Sequence, residues 1–193
     1  IGNVVLQKGL RVAGVVIDPA GGVVPEANVF LSFQGPDGDN RKLRAMADAA
    51  GRFCFDSLAI DKATVVANAP DLLPAVEAVV VPTENLRLTL ASGVEVSGIV
   101  RDERGEPSPG VTVEASATHT DRGLKTGVYR KAKTNERGEY RFQGLPASEA
   151  RISIRATVAS WLDAYSVNGI VEQTVQAPAA GVNLSVRRQI AQS

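Results

Sequence analysis

The amino-acid sequence contains an internal repeat. When residues 4–32 are placed on residues 88–116, a shift of 84 positions, ten of the 29 aligned pairs are identical. The identities fall on turn residues and on alternating apolar residues. A solenoid repeat spans roughly 20–50 residues, whereas a shift of this size matches the length of one small domain. The sequence therefore predicts two tandem domains of one kind.

Both repeats have the residue pattern of β-strands. Apolar and polar residues alternate over short runs, and turn residues separate these runs at intervals of about 8–12 residues, as in sandwiches and barrels. No segment shows a helical period with caps. In the first repeat the predicted strands are Leu10–Ile17, Ala27–Phe33, Lys42–Ala47, Arg52–Phe55, Ala63–Ala69, Val76–Val81 and Leu86–Leu90. In the second they are Val94–Arg101, Val111–Ser116, Val128–Thr134, Glu139–Phe142, Arg151–Ala156, Gly169–Gln176 and Val182–Val186.

The repeat also predicts the domain boundaries. Residues 9–91 form the first unit and residues 92–193 the second. Val4–Leu6 aligns with Leu88–Leu90, the last strand of the first unit, so residues 1–8 are expected to be a leading strand, either the end of a preceding repeat or an imitation of one. The junction Ala91–Gly93 is too short for a flexible tether, and we expect a semi-rigid, end-to-end arrangement.

Composition excludes several classes of function. The 21 basic and 21 acidic residues cancel, so no overall field attracts nucleic acid or an anionic membrane. The apolar runs are too short to span a bilayer, and direct membrane insertion is not expected. Cys54 is the only cysteine and His119 the only histidine. An internal disulfide and a thiolate metal site are therefore excluded, and we predict no cofactor and no metal.

One ordered set of motifs occurs in both repeats: Val-x-Gly-x-Val-x-Asp, a glycine turn, a proline four residues before a valine, and Gly-x-Phe/Tyr-x-Phe-x-x-Leu. Its residues are Val12, Gly14, Val16, Asp18, Gly21, Pro25, Val29, Gly51, Phe53, Phe55 and Leu58, then Val96, Gly98, Val100, Asp102, Gly105, Pro109, Val113, Gly138, Tyr140, Phe142 and Leu145. The set resembles the carboxypeptidase regulatory-like domain, one of the transthyretin-like (prealbumin-like) folds. The resemblance implies an all-β chain of two tandem Greek-key seven-stranded β-sandwiches, a non-catalytic accessory role, and an extracellular, periplasmic or cell-surface location.

Two related chemistries can be tested against the residues. Pilin-like and adhesin sandwiches close an isopeptide between a first-strand lysine and a last-strand asparagine, assisted by a glutamate. Here Lys8 aligns with Ser92, and alanine or arginine occupies the glutamate position. Transthyretin-like hydroxyisourate hydrolases need several histidines and a characteristic C-terminal tetrapeptide, which this sequence lacks. We therefore predict neither an isopeptide nor an enzyme.

Polar residues in turns and between core residues have simple structural interpretations. Asp18 and Asp102 each precede a glycine by three residues, a spacing that predicts a side-chain cap of the turn. The alternative is a calcium site, which needs six or more oxygen ligands. Cys54 alternates with the core residues Phe53 and Phe55, so it is expected to face away from them as a passive, partly exposed thiol.

The second repeat contains the candidate ligand residues. Trp161, Asp163 and Tyr165 lie in a gain of about nine residues between strands, where insertions cost little. Exposed aromatic residues can stack on sugar rings or anchor a protein partner. Alternatively, Trp161 caps the open end of the sandwich or packs at the domain junction. His119 lies in a polar loop predicted at Ala117–Gly127, where we expect a solvated side chain.

A basic run follows that loop, with residues Arg130, Lys131, Lys133, Arg137 and Arg141. It is expected to be the solvated face of a strand pair, or else a docking site for an acidic partner. The sequence as a whole predicts a structural or interaction module that spaces neighbouring domains of its parent chain, or contacts another protein. The alternatives are carbohydrate binding through the insertion, with a glycan as ligand, and an accessory folding domain of a hydrolase.

Overall fold

The computed structural model describes residues 9–147, 151–157, 165–166, 171–186 and 189–190. Throughout these residues the chain forms strands and turns. It divides into two compact units. Unit 1 comprises Ile1–Ala91 with Thr120–Leu124, and unit 2 comprises Ser92–His119 with Lys125–Ser193. No helix in the described residues has the length and apolar character needed to cross a bilayer.

The part of unit 1 described from residue 9 onward contains seven main strands and one two-residue strand. The strands are β1 (Leu10–Ile17), β2 (Asn28–Gln34), β3 (Asn40–Met46), β4 (Arg52–Leu58), β5 (Lys62–Asn68), β6 (Leu72–Leu73), β7 (Ala75–Val80) and β8 (Thr83–Thr89). They form a three-stranded sheet in the order β4-β1-β8 and a four-stranded sheet in the order β3-β2-β5-β7. β1 pairs with β8 in parallel and with β4 in antiparallel. The chain passes from β2 through β3 to β4, which returns beside β1, the Greek-key connection.

The core of unit 1 lies between these two sheets. Alternate residues of each strand point inward, as the pleat of a strand requires. Val12 and Val16 of β1, like Leu31 of β2, have no exposed surface. Phe53 and Phe55 of β4 pack edge to face, with ring centroids 6.2 Å apart. The alternation read from the sequence therefore identifies the core correctly.

β9 (Ala91–Ser92) comprises the last residue of the first segment and the first residue of the second, and unit 2 repeats the arrangement. Its strands are β10 (Val94–Asp102), β11 (Thr112–Asp121), β12 (Leu124–Lys133), β13 (Glu139–Leu145), β14 (Arg151–Thr157), β15 (Tyr165–Ser166), β16 (Val171–Gln176), β17 (Leu184–Val186) and β18 (Gln189–Ile190). The sheet orders are β13-β10-β17 and β12-β11-β14-β16, with β15 pairing β18. Tyr140 and Phe142 pair in the core as Phe53 and Phe55 do, with centroids 5.5 Å apart. The predicted fold of two seven-stranded β-sandwiches is thus confirmed.

The prediction of a loop at Ala117–Gly127 is wrong. β11 continues to Asp121 and β12 begins at Leu124, so a two-residue turn joins them. Both turn residues have positive φ, 49° at Arg122 and 79° at Gly123. Positive φ at both central residues matches the twist of the flanking strands. His119 therefore lies in a strand, where its side chain is half-buried instead of solvated.

Candidate functional site

The aspartates considered as calcium ligands form turns. Oδ1 of Asp18 accepts hydrogen bonds from the backbone N–H groups of Ala20 and Gly22, both at 2.8 Å. Oδ1 of Asp102 accepts the equivalent pair from Arg104 and Glu106, both at 2.9 Å. The predicted side-chain cap is confirmed in both repeats, because each carboxylate satisfies two donors of its own turn.

A second pair of turns uses the same geometry. Oδ1 of Asp48 accepts from the N–H groups of Ala50 and Arg52, at 2.9 and 2.8 Å. At the equivalent position of unit 2, Oδ1 of Asn135 accepts from Arg137 and Glu139, at 3.0 and 2.9 Å. An amide thus replaces a carboxylate without loss of either bond. The turn therefore forms without a negative charge on this side chain, which argues against a cation bound there.

The residues proposed to contact a ligand are not brought together by the described structure. Trp161 and Asp163 lie outside the described residues. The backbone of Tyr165 forms β15 and lies opposite Ile190 of β18, but its side chain is also outside the described part. His119 lies in β11. Carbohydrate binding at Trp161 and Tyr165 therefore remains a prediction.

Cys54 lies on the outer face of the three-stranded sheet and has two charged neighbours. The Arg11 Nε–H group donates to Cys54 Sγ at 2.9 Å, and the thiol lies 3.0 Å from Asp56 Oδ2, to which it donates. Arg11 also pairs with Asp56, with 3.1 Å between Nε and Oδ1. The orientation predicted for Cys54 is correct, and the structure adds a cationic neighbour, Arg11. A shift in the β1–β4 register between Leu10 and Val12 accompanies this contact.

These neighbours do not activate the thiol. Burial raises the pKa of Cys54 above its ordinary value, and the hydrogen bond to Asp56 raises it further, whereas Arg11 lowers it. A nucleophilic cysteine needs a lowered pKa, because the thiolate is the reactive form. The passive role predicted for Cys54 follows from the balance of these effects.

Each three-stranded sheet has a shallow depression on its outer face, of about 650 Å³ in unit 1 and about 760 Å³ in unit 2. Short residues on the central strand leave this space: Ala13 and Gly14 in unit 1, and Ser97 and Gly98 in unit 2. The rims have opposite charges at equivalent positions. These positions are Arg11 and Arg52 in unit 1, and Glu95 and Glu139 in unit 2. Each rim also carries charges of the other sign, Asp48 and Glu84 in unit 1 and Lys133 and Arg141 in unit 2. The two depressions therefore differ in where their charges lie, and neither presents a single sign.

The outer face of the four-stranded sheet of unit 1 holds a cluster of cations and an aromatic ring. Lys42 Nζ lies 4.0 Å from the centroid of the Phe30 ring, and the Arg44 guanidinium lies 6.0 Å from it. The Arg44 Nε–H group donates to Asn28 Oδ1 at 3.0 Å, and its Nη2 group donates to the same oxygen. The ring and the amide thus hold both cations in place on an exposed surface.

The basic run of unit 2 is only partly solvated. Arg130 donates to the backbone carbonyl oxygens of Tyr129, Gln143 and Gly144, at 3.0 to 3.2 Å. Lys131 pairs with Glu114 at 3.5 Å. Arg130 was expected on a solvated face. Instead it binds backbone oxygens on two strands, which the sequence pattern could not indicate.

The geometry of the described residues suits a binding surface better than a reactive site. Among them, no three His, Cys, Asp or Glu side chains are arranged to hold a metal ion. In that part of the chain the aspartates of the turns and the thiol of Cys54 are occupied by the contacts described above. The cation cluster on β3 is the strongest candidate surface, because its charges face solvent.

Comparison with known proteins identifies a family. The family described as "Carboxypeptidase regulatory-like domain" matches residues 11–91 and 95–160. No curated protein matches the chain.

Among solved structures the chain is similar to three pilins. A streptococcal ancillary pilin is 12% identical with a TM-score of 0.41, and the match covers 93% of this chain and 62% of the pilin, less than two thirds of its length. The minor pilin of Streptococcus agalactiae is 11% identical with a TM-score of 0.42, covering 95% of this chain and 98% of that one. The shaft pilin of Lactobacillus rhamnosus GG is 6% identical with a TM-score of 0.39, covering 96% and 99%.

Proposed function

This chain belongs to the carboxypeptidase regulatory-like domain family, and from that premise we propose that it is a non-catalytic structural and interaction module. The module is part of a larger exported or cell-surface protein. It spaces or positions neighbouring domains of the parent chain, or presents a surface to another protein.

The observation that carries this proposal is the equivalence of the two units. Val16 and Val100 are both fully buried, and both repeats cap the same turns with the same bonds. The residues shared by the repeats thus build the frame, whereas the rims and outer faces differ. Two units that share their core and turns but differ on their outer faces support a structural role for the repeat better than a common reaction or ligand.

The chemistry of the described residues supports the absence of catalysis. An enzyme site needs a nucleophile or a base whose pKa suits the reaction, positioned beside a partner group. Cys54 has a raised pKa and donates to Asp56. Asp18, Asp48 and Asp102 bind the N–H groups of their own turns. These groups maintain the frame.

The spacing role can be tested by nuclear magnetic relaxation of the backbone amides. A spacer should hold its units together, so we expect both units to report one rotational correlation time. A matched variant with a flexible glycine–serine linker inserted between Ser92 and Gly93 should give two shorter correlation times. Independent tumbling of the units in the unaltered chain would contradict the proposal.

Carbohydrate binding is a separate prediction with its own test. A glycan screen should compare the chain with the variant Trp161→Ala. Binding that the substitution abolishes would support the alternative function. If neither protein binds, the alternative fails without affecting the structural role.

A further inference from the structure

β3 is an edge strand of the four-stranded sheet in unit 1. In the order β3-β2-β5-β7 it pairs with β2 on one side, and among the residues that the structure describes no strand lies on its other side. The pairing with β2 is regular over the whole strand, from Asn28 opposite Met46 to Gln34 opposite Asn40. A regular edge presents backbone N–H and C=O groups that can pair with an added strand.

Core-facing apolar side chains are less buried at this edge than at the centre of the sheet. Leu43 lies opposite Leu31 on β2, and Leu31 lies opposite Val65 on β5, so the three share the core-facing side of the sheet. Leu31 and Val65 have no exposed surface, whereas Leu43 is 41% exposed. An apolar side chain on an added strand would cover Leu43 and continue this row.

The two neighbours of Leu43 point to the opposite side of the sheet and are cations. Lys42 and Arg44 lie there around Phe30. The outward positions of the four strands contain no Asp or Glu; they are Asn28, Phe30, Ser32, Gln34, Asn40, Lys42, Arg44, Met46, Lys62, Thr64, Val66, Asn68, Val76, Ala78 and Val80. Asp37 and Asp39 in the nearby turn pair with Arg41. No carboxylate on the face itself neutralises Lys42 or Arg44.

We propose that the β3 edge binds an extended acidic segment of a partner protein, which pairs with it as a fifth strand. Side chains of a strand alternate between its faces. The partner must therefore carry carboxylates at alternate positions, opposite Lys42 and Arg44, and an apolar residue between them, beside Leu43. This is strand addition with charge complementarity. It rests on the proposed interaction role and specifies the chemistry of the partner.

A second copy of this chain does not fit the same edge. If two β3 strands paired in antiparallel about Leu43, Lys42 of each would lie opposite Arg44 of the other, and like charges placed directly opposite are destabilising. β12, the corresponding strand of unit 2, also carries cations, at Lys131 and Lys133. The charges on β3 thus oppose self-pairing in this register, which is the one that buries Leu43 against Leu43, and they favour an acidic strand.

The test uses the full chain and a fluorescent peptide of seven residues, the length of β3. The peptide alternates glutamate and valine, and binding is followed by fluorescence anisotropy. We expect saturable binding that weakens as salt is added, because the charges are exposed. A peptide with lysine in place of glutamate should not bind. A glutamate–valine peptide with N-methyl groups along one edge should also fail, because it lacks the backbone donors.

Substitutions locate the site. The double variant Lys42→Gln with Arg44→Gln should weaken binding about tenfold, since each removes one cross-strand charge pair. Lys62→Gln removes a cation from the same face, two strands from the edge, and should change affinity by less than about twofold. Thermal unfolding of each variant verifies that it is folded.

Three results would overturn the inference: no binding of the acidic peptide, equal binding of the N-methylated peptide, or equal affinity in the double variant. Binding of polygalacturonate, an acidic polysaccharide, with the same dependence on Lys42 and Arg44 and with no preference for the peptide would also overturn it. That result would show attraction by charge without strand pairing. None of these results bears on the rotational correlation times of the two units, so the spacing role is tested independently.

Discussion

Gly14 of β1 faces the backbone carbonyl oxygen of Leu86 on β8, and the space between them cannot hold a Cβ atom. Gly98 in unit 2 meets the carbonyl oxygen of Val182 in the same way. In each unit the glycine lies between two fully buried valines of the central strand. The repeated glycine therefore lets two backbones approach closely at the centre of the three-stranded sheet.

Replacing this glycine should destabilise its unit. In Gly98→Ala the new methyl group would lie within 3.0 Å of backbone atoms, so the strands must separate. We expect a loss of about 1–3 kcal/mol in the free energy of unfolding, as for overpacked cores. Gly127→Ala is the matched control in the same unit, because its Cβ would meet nothing within 4 Å. Urea unfolding of both variants measures the difference, and equal stability would contradict the packing argument.

The turn at Asp48 should tolerate an amide but not an alanine. Asn135 makes the equivalent two bonds in unit 2, so Asp48→Asn should change the free energy of unfolding by less than about 0.5 kcal/mol. Asp48→Ala leaves the N–H groups of Ala50 and Arg52 without this acceptor and should cost about 1–2 kcal/mol. Chemical unfolding with calcium and with a chelator should give the same stability. Stabilisation by calcium would contradict a purely structural turn.

The frame of each unit could be predicted because its signals are local. Alternation places Phe53 and Phe55 on one side of a strand, and a glycine three residues after Asp18 defines a turn. These patterns depend on the pleat and on backbone conformation, which neighbouring residues largely determine. Because the same patterns recur in the second repeat, each predicted strand and turn has independent support there.

Contacts between strands distant in sequence could not be predicted in this way. The register shift that accompanies the contact of Arg11 with Cys54 has no marker in the sequence. The β11–β12 hairpin was missed because Arg122 takes a positive φ that is more usual for asparagine or glycine. The alternation of Lys42 and Arg44 is visible in the sequence. That β3 is an edge strand, with Phe30 beneath both cations, required the sheet order.

The thiol of Cys54 should react slowly near neutral pH. Its pKa is raised by burial and by Asp56 above the ordinary value of 9.0, so the reactive thiolate is a minor species near neutral pH. Asp56→Asn should lower the pKa and speed alkylation, whereas Arg11→Gln should raise the pKa and slow it. Iodoacetamide labelling as a function of pH, read by mass spectrometry, gives the apparent pKa of each protein.

Two controls separate this effect from simple exposure. Glu84→Gln removes a carboxylate that acts on Arg11 more weakly than Asp56 does, and it should leave the labelling rate nearly unchanged. Labelling in denaturant should make all variants equal. If Asp56→Asn and Arg11→Gln both accelerate labelling, exposure of the sulfur controls the rate and the electrostatic account fails.

Tyr140 should stabilise unit 2 through its hydroxyl group. The hydroxyl is buried and donates to the Val182 carbonyl oxygen at 2.6 Å. Phe53 occupies the equivalent position in unit 1 without such a bond. Tyr140→Phe should lower the free energy of unfolding by about 1 kcal/mol, because it leaves a buried carbonyl without its donor. Urea unfolding of Tyr140→Phe beside the unaltered chain measures the difference, and equal stability would contradict a stabilising hydroxyl.

Alkaline pH provides an independent check on Tyr140. Burial raises its pKa above the ordinary value of 10.0, so the folded protein retains a proton that the unfolded chain releases. The resulting stabilisation is complete below that ordinary value and is lost as pH rises through the raised pKa. Unfolding followed by urea across this range should therefore show a steeper loss of stability in the unaltered chain than in Tyr140→Phe. Identical slopes would mean that Tyr140 ionises as a solvent-exposed tyrosine does, which contradicts its buried hydrogen bond.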